Sequence, residues 1–394
     1  MIFSSLLLAA VAATPAAPSP ALELRGTIEF SAALANFFAA TRKLESGALR
    51  EDIRVAHFGD SHSTIDSLSR SARTALQRRF GNGGRGFVML GRPYDWYNQD
   101  GIESAPGKGF AREKHAEYTG PGGLVMHSQA RGSLISTQVQ ATTSKVTLVF
   151  ERSPTGAPLS FYVDDTITAV STKDSTKTGA AYVEVEVPAG SHRVEVRAGQ
   201  GDAWVYGVEL ESDKSGIVYD ALGVDGARAS DFVQYNEPWL AAYMARRPAS
   251  LVVLAYGANE ASDSNATKPL EEMEQSVKDA VAKAKRLAPN ASCLLLGPPD
   301  IESKVGKTWT TNPRLAEVIK VERAVASAQG CAFFDTFAAM GGEGTAQAWR
   351  QRTPAASRPD HLHYTPVGYR ALSDAYAVAL MSAYDAWARQ GGAK

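Results

Sequence analysis

Several things are missing from this chain, and each absence narrows what it can be. Charge of one sign is missing: 41 Lys and Arg stand against 42 Asp and Glu, a formal net charge of −1. Such a balance gives no support to nucleic acid or an anionic membrane surface as the main partner. Beyond the N-terminus there is no apolar run of 18 residues, so no membrane span is expected. No His, Cys or Glu cluster has the spacing of a metal site, and neither a metal nor another cofactor is expected. The Gly81–Gly86 run lacks the Lys-Ser/Thr of a phosphate loop and follows a helical stretch rather than a strand. No long apolar segment offers a lipase-like lid, and no internal repeat is visible. Cysteine is scarce: Cys293 and Cys331 are the only two, both in runs that read as strands. They are expected as buried thiols acting as small apolar residues, with a bridge in an oxidising compartment as the alternative.

The N-terminus reads separately from the rest. Ile2 to Ala13 is apolar and rich in small residues, and a Pro- and Ala-rich stretch follows to Pro20. This pattern predicts a secretory signal over 1–17, cleaved after Ala13 or Ala17, although no Lys or Arg precedes the apolar stretch. No Cys lies nearby to carry a lipid anchor. Export to a periplasmic or extracellular space is the expectation. The sequons at Asn265 and Asn290 carry little weight.

At 394 residues the chain exceeds one ordinary domain, and its patterning changes character twice. Ile53–Phe58 reads as a short buried strand. Thr64–Phe80 then places Ile65, Leu68, Ala72, Ala75, Leu76 and Phe80 on one helical face. After Trp239 the alternation returns, with strands at Leu251–Tyr256, Cys293–Leu296 and Cys331–Phe334. Helices are expected over Leu270–Leu287 and Leu315–Gln329, and a last one from Pro366, where Pro suits the first turn. Strands alternating with helices predict an α/β fold, a parallel sheet with helices on both faces.

Between these parts the helical period disappears. Ser133–Gln140, Lys145–Glu151, Leu159–Asp164, Ala181–Val187, Ser191–Arg197 and Ala203–Glu211 are short runs rich in Val, Thr, Tyr and Phe. Turn signals at Pro188-Ala189-Gly190 and Gly199-Gln200-Gly201 separate them. The pattern predicts an antiparallel β-sandwich over 105–214, inserted between α/β segments 23–104 and 215–394.

The residues that carry chemistry fall at strand ends. Gly59-Asp60-Ser61 follows the first strand, which puts a hydroxyl at a carboxyl edge where ligands bind in open α/β sheets. Ser61, Ser63 and Thr64 are equally suited to cap the following helix; if they do, its N-terminal N–H groups also face developing negative charge. Asp360-His361-Leu362-His363 precedes the last helix. His363 has the near-neutral basicity that a Ser nucleophile needs, and Asp360, three residues earlier, can fix its tautomer. His361 is the competing base but lacks that spacing. Asn259, after a buried strand, can aim its amide at the same pocket, where losing an oxyanion donor typically costs about 10²–10³ in turnover. Gly226 has no Cβ, so its N–H can approach a tetrahedral intermediate closely. Taken singly, each glycine is as readily a tight turn.

Gly59-Asp60-Ser61, Gly226, Asn259 and Asp360-x-x-His363 stand in the order of the four blocks of the SGNH (GDSL-like) hydrolase superfamily, and the chain resembles that family on both sides of the insert. The resemblance implies a flavodoxin-like sheet. It implies Ser61 as nucleophile, His363 as base and Asp360 as its orienter, with Ser61 N–H, Gly226 and Asn259 as oxyanion hole. The departure is the 165-residue gap between Ser61 and Gly226, where most members have a few tens. A β-sandwich (jelly-roll) carbohydrate-binding module placed there, together with Asp60-Ser61-His62 and the Phe80–Phe87 stretch, is similar to bacterial peptidoglycan O-acetylesterases. That similarity implies an acetylated glycan as substrate. An O-acetyltransferase, an esterase on another polysaccharide such as xylan, and a non-catalytic glycan-binding protein are the alternatives. Tyr94, Trp96 and Tyr97 form an aromatic cluster suited to sugar faces, whereas Trp204 and Tyr206 are expected in ordinary packing.

Overall fold

The computed structural model describes residues 19–97, 99–113, 120–176, 178–262 and 268–392. The expected signal segment, Ala13, Ala17 and Asn265 lie outside them. The first part runs β1 (Ile28–Glu29), α1 (Ala35–Glu45), β2 (Ile53–Gly59), α2 (Arg70–Phe80) and β3 (Asn82–Val88). Eight further strands follow without a helix: β4 (Ile102–Ser104), β5 (Ala111–Glu113), β6 (Val125–Ser128), β7 (Leu134–Arg152), β8 (Leu159–Val163), β9 (Thr166–Val170), β10 (Gly179–Ala198) and β11 (Ala203–Glu211). Then the alternation resumes with β12 (Ile217–Gly223), α3 (Ala229–Gln234), α4 (Glu237–Arg246), β13 (Ala249–Ala255), α5 (Ala258–Ala261) and α6 (Leu270–Leu287). The last part holds β14 (Ser292–Leu296), a hairpin of β15 (Glu302–Val305) and β16 (Thr308–Thr311), α7 (Leu315–Ala328) and β17 (Ala332–Phe334). Short helices α8 (Thr336–Met340) and α9 (Thr345–Arg350) lead to the terminal α10 (Pro366–Arg389).

Strands β17, β14, β13, β2, β12 and β3 lie side by side and parallel, the centre of the mixed α/β fold. The inner strands are apolar on both faces because helices cover both. One face packs Phe58, Leu222, Val252 and Leu254 against α3, α4 and α6. The other packs Val55, Tyr219 and Val253 against α1, α2 and α10. The ladder between β2 and β12 pairs Ile53 with Ile217 and Gly59 with Gly223, and Ala255 of β13 also pairs with Gly59. Three carboxyl ends therefore finish at one level, the geometry that positions the site.

The eight strands from β4 to β11 are antiparallel, and among the described residues they do not form a separate sheet. They continue the central one: β11 pairs with β3, and the order runs on through β7, β10 and β8 to β9. The two longest strands, of 19 and 20 residues, carry the pairing around a core of their own that includes Ile135, Val139, Phe150, Phe161 and Val194. At the seam, Arg247 is buried between Glu209 at 3.3 Å, Glu211 at 3.3 Å and Asp220 at 3.0 Å. A buried charge of this kind is tolerated only when fully partnered.

Three expectations change. Pro188-Ala189-Gly190 does not end a strand; β10 runs through it with register shifts on either side of Gly190, so a turn signal becomes a bulge. The helix expected from Thr64 begins only at Arg70. Asp66 intervenes with φ of 59°, its buried carboxylate bound by Arg73 at 2.7 Å and Arg85 at 3.1 Å. Cys293 and Cys331 are joined in a disulfide between neighbouring strands β14 and β17, not left as thiols. The glycine-rich stretch after Phe80 is strand β3.

Candidate active site

Each of the three aligned strands delivers one group. β2 ends at Gly59, where a Cβ would meet the Ala255 carbonyl at 2.8 Å, so only glycine lets the chain turn there. Asp60 N–H donates to Ala255 O at 3.1 Å, and Val224 N–H donates to Gly59 O at 2.9 Å. Ser61 follows in a tight turn, 7% exposed, in which Ser63 N–H donates to Asp60 O and Thr64 Oγ1 donates to Ser61 O. α2 starts nine residues later, so its N-terminus does not adjoin Ser61 as the sequence pattern predicts.

His363 Nε2 stands 2.9 Å from Ser61 Oγ. Its Nδ1 stands 3.0 Å from Asp360 Oδ2, while Asp360 Oδ1 accepts from the His363 and Leu362 backbone N–H groups at 2.8 and 3.0 Å. Partial burial alone raises the Asp360 carboxyl, but these three bonds outweigh it and hold the group well below the usual carboxylate range. The arrangement keeps a proton on Nδ1 and leaves Nε2 as the acceptor for the serine proton. The turn carrying it is pinned by Tyr364, whose hydroxyl donates to Asp300 O, and by Thr365 and Pro366 at the start of α10.

β12 ends two residues before Asp225-Gly226. Gly226 has φ of 70°, and a Cβ there would meet nothing within 4 Å. The requirement for glycine is conformational, not a matter of crowding within the chain. β13 ends two residues before Gly257, and Asn259 sits in α5 with its Nδ2 donating to Ala227 O at 3.0 Å. Ser61, Gly226 and Asn259 thus leave adjacent strands at the same level, with His363 and Asp360 above the first.

His361 points elsewhere. Its ring stacks on Trp309 at 3.6 Å between centroids, and Nδ1 lies 3.0 Å from Glu302 Oε2, so the hairpin of β15 and β16 holds it. Its φ of 64° turns it away from its neighbour two residues on. Of the aromatics, Tyr94 and Tyr97 are buried and Trp96 is 49% exposed. Tyr206 is buried with its hydroxyl donating to Glu151, and Trp204 stacks on His127.

Two residues not singled out in the sequence also serve the site. Glu260 is 7% exposed and accepts from Ala229 N–H at 2.8 Å and Gly257 N–H at 3.0 Å. It thereby clamps the Gly226 loop to the Asn259 loop. The available signal was its place immediately after Asn259, three residues past a glycine at a helix start. His62 is buried with its ring 5.4 Å from that of His363 and Nδ1 3.0 Å from Tyr369 hydroxyl. Burial, together with the nearby His363, lowers it to about 3, so it is a neutral ring at working pH. Asp60 goes the other way, pushed up to about 8 by burial and by Glu260 and Asp225, against the hydrogen bond from His62 N–H.

A sequence profile described as the GDSL-like Lipase/Acylhydrolase family matches residues 191–371, a span that contains Gly226, Asn259, Asp360 and His363 but not Ser61. No protein of curated function matches the sequence. Among solved structures, that of a peptidoglycan O-acetylesterase superposes with a TM-score of 0.73 at 22% identity, over 91% of this chain and 99% of that one. The likeness establishes the shared fold. An acetylxylan esterase from Geobacillus stearothermophilus (21% identity, 42% of this chain and 73% of that one, TM-score 0.33) and a family two carbohydrate esterase from Cellvibrio japonicus (12% identity, 76% and 98%, TM-score 0.30) overlay only loosely.

Proposed function

We propose that this chain, which resembles the GDSL-like Lipase/Acylhydrolase family over residues 191–371, is a serine esterase removing O-acetyl groups from a cell-wall glycan, peptidoglycan, through an acetyl-enzyme. The observation that carries this reading is the unbroken chain from Ser61 Oγ through the His363 ring to Asp360, with both bonds at 2.9–3.0 Å. In the first step the Ser61 proton passes to His363 Nε2 as Oγ bonds the acetyl carbonyl carbon. Ser61 N–H, Gly226 N–H and Asn259 receive the oxyanion. The carbon–oxygen bond to the sugar then breaks, and His363 returns its proton to the departing hydroxyl. Water, deprotonated by the same His363, attacks the acetyl-enzyme and releases acetate and Ser61.

The choice of peptidoglycan is supported by the fold shared with a peptidoglycan O-acetylesterase. We read residues 105–214 as a carbohydrate-binding-module-like β-sandwich spliced into the hydrolase at 23–104 and 215–394. We read residues 1–17 as a signal that sends the protein to the periplasm or beyond. The Cys293–Cys331 bridge supports that address, because such bonds persist in oxidising compartments.

The test is acetate release from O-acetylated peptidoglycan beside acetylated xylan, each with and without an added glycan acceptor. Acetate freed from peptidoglycan in water, and lost in Ser61→Ala, is expected. Transfer to the acceptor in place of release into water identifies an acetyltransferase, and release from xylan alone moves the substrate. Full activity in Ser61→Ala removes the serine from the role.

A further inference from the structure

A cavity of about 820 Å³ opens between the segment after β3, the first half of β7 and the second half of β10. Its wall includes Arg92, Asp95, Trp96, Glu103, Gln138 and Arg193. That volume lies within the roughly 300–1,000 Å³ of small-molecule sites. Trp96 is the unusual member, a large aromatic with 49% of its surface in solvent. Its ring is not loose: Tyr94 backs it at 5.8 Å and an interplanar angle of 11°. Tyr94 in turn is fixed by two contacts. Arg112 lies 4.9 Å over its ring, and its hydroxyl accepts from Asp225 N–H at 3.3 Å. Asp225 is the residue before Gly226. A rigid aromatic ladder therefore leads from the oxyanion loop to the cavity, Gly226 to Tyr94 to Trp96.

We propose that this cavity is the subsite for the glycan chain beyond the ester-bearing sugar, with a pyranose ring lying on Trp96. The inference rests on the esterase reading above and names how that site holds its polymer. The chemistry of the wall sets the ligand class. An aromatic face held open to solvent suits the C–H face of a sugar ring. Two guanidiniums, Arg92 and Arg193, are matched by two carboxylates, Asp95 and Glu103, so the wall favours a hydroxyl- and amide-bearing unit over a polyanion. Residues of the inserted strands and of the hydrolase segment share the cavity, so one chain bound there spans both.

The experiment compares 4-nitrophenyl acetate with O-acetylated peptidoglycan oligosaccharides for the native protein, Trp96→Ala and Trp96→Tyr. Losing one stacking face is expected to lower kcat/KM on the oligosaccharide about ten-fold, through KM, in Trp96→Ala. Turnover of 4-nitrophenyl acetate should be unchanged, and Trp96→Tyr should recover most of the oligosaccharide activity. An oligosaccharide KM in Trp96→Ala equal to that of the native protein overturns the subsite and leaves the esterase reading standing. An equal loss on both substrates overturns it too, because Trp96 then acts on the fold or the triad. If the native protein cleaves 4-nitrophenyl acetate but no acetylated glycan, the glycan-substrate reading fails first and the subsite with it.

Discussion

Replacing Glu260 tests whether the Gly226 and Asn259 loops act as one device. The carboxylate is 7% exposed and accepts one backbone N–H from each loop, Ala229 at 2.8 Å and Gly257 at 3.0 Å. Glu260→Ala leaves both donors buried and unpaired. Each such loss costs about 1–3 kcal/mol, so the folded state should weaken by about 2–6 kcal/mol. Glu260→Gln keeps the shape and one acceptor oxygen but sets an NH₂ against the second donor, which halves the penalty. The catalytic effect is separate from stability. Asn259 and Gly226 lie two and three residues from the clamped positions, and an oxyanion donor displaced from contact costs about 10²–10³ in kcat. Glu260→Gln should therefore stay folded and lose at least ten-fold in kcat on 4-nitrophenyl acetate, with KM little changed. Steady-state kinetics beside urea unfolding separates the two effects. A Glu260→Gln protein with native kcat would falsify the clamp.

Two further outcomes are expected. The pH dependence of stability has a definite sign between about 6.5 and 8. Asp60, raised by burial to about 8, keeps its proton in the folded state and loses it when unfolded. Glu322, raised well above its usual range by burial, biases the slope in the same direction. His57 and His62, lowered by burial to about 4 and about 3, contribute an opposite slope only below about 6.5. Stability should thus fall as pH rises from 6.5 to 8, by about 1.4 kcal/mol per unit for each retained proton. Glu322→Gln should flatten the slope in urea unfolding, and a slope that rises instead refutes the assignment. Reduction of the Cys293–Cys331 bridge, which closes a separation of 38 residues, should cost about 3–4 kcal/mol. A reductant that leaves the unfolding midpoint unmoved refutes that figure.

What the sequence made legible was local. The apolar runs at 53–58, 251–256 and 293–296, and the period of Leu270–Leu287, are set by residues within each segment, and the elements lie close to where the pattern puts them. Ser61, Gly226 and Asn259 could be singled out because they follow strand ends, and Asp360 and His363 because they stand three apart just before α10. What was not legible depended on distant partners. The start of α2 was misread because Ile65 and Leu68 keep helical spacing, while the backbone there is set by Asp66 bound to Arg85 on the next strand. The bulge at Gly190 needs β7 opposite it, and the joined cysteines need β14 beside β17. Asp225 N–H and Tyr94 hydroxyl lie 131 positions apart, and no spacing rule reaches that far.

The ladder joining β3 to β11 makes the inserted region a graft rather than a tethered module. Excising it bares the hydrogen-bonding groups of β3 from Gly84 to Val88 and strips Arg247 of Glu209 and Glu211. A severed core of this kind has a raw, sticky border and a buried cation left with one of its three carboxylates, Asp220. Neither half is therefore a cassette to be swapped freely.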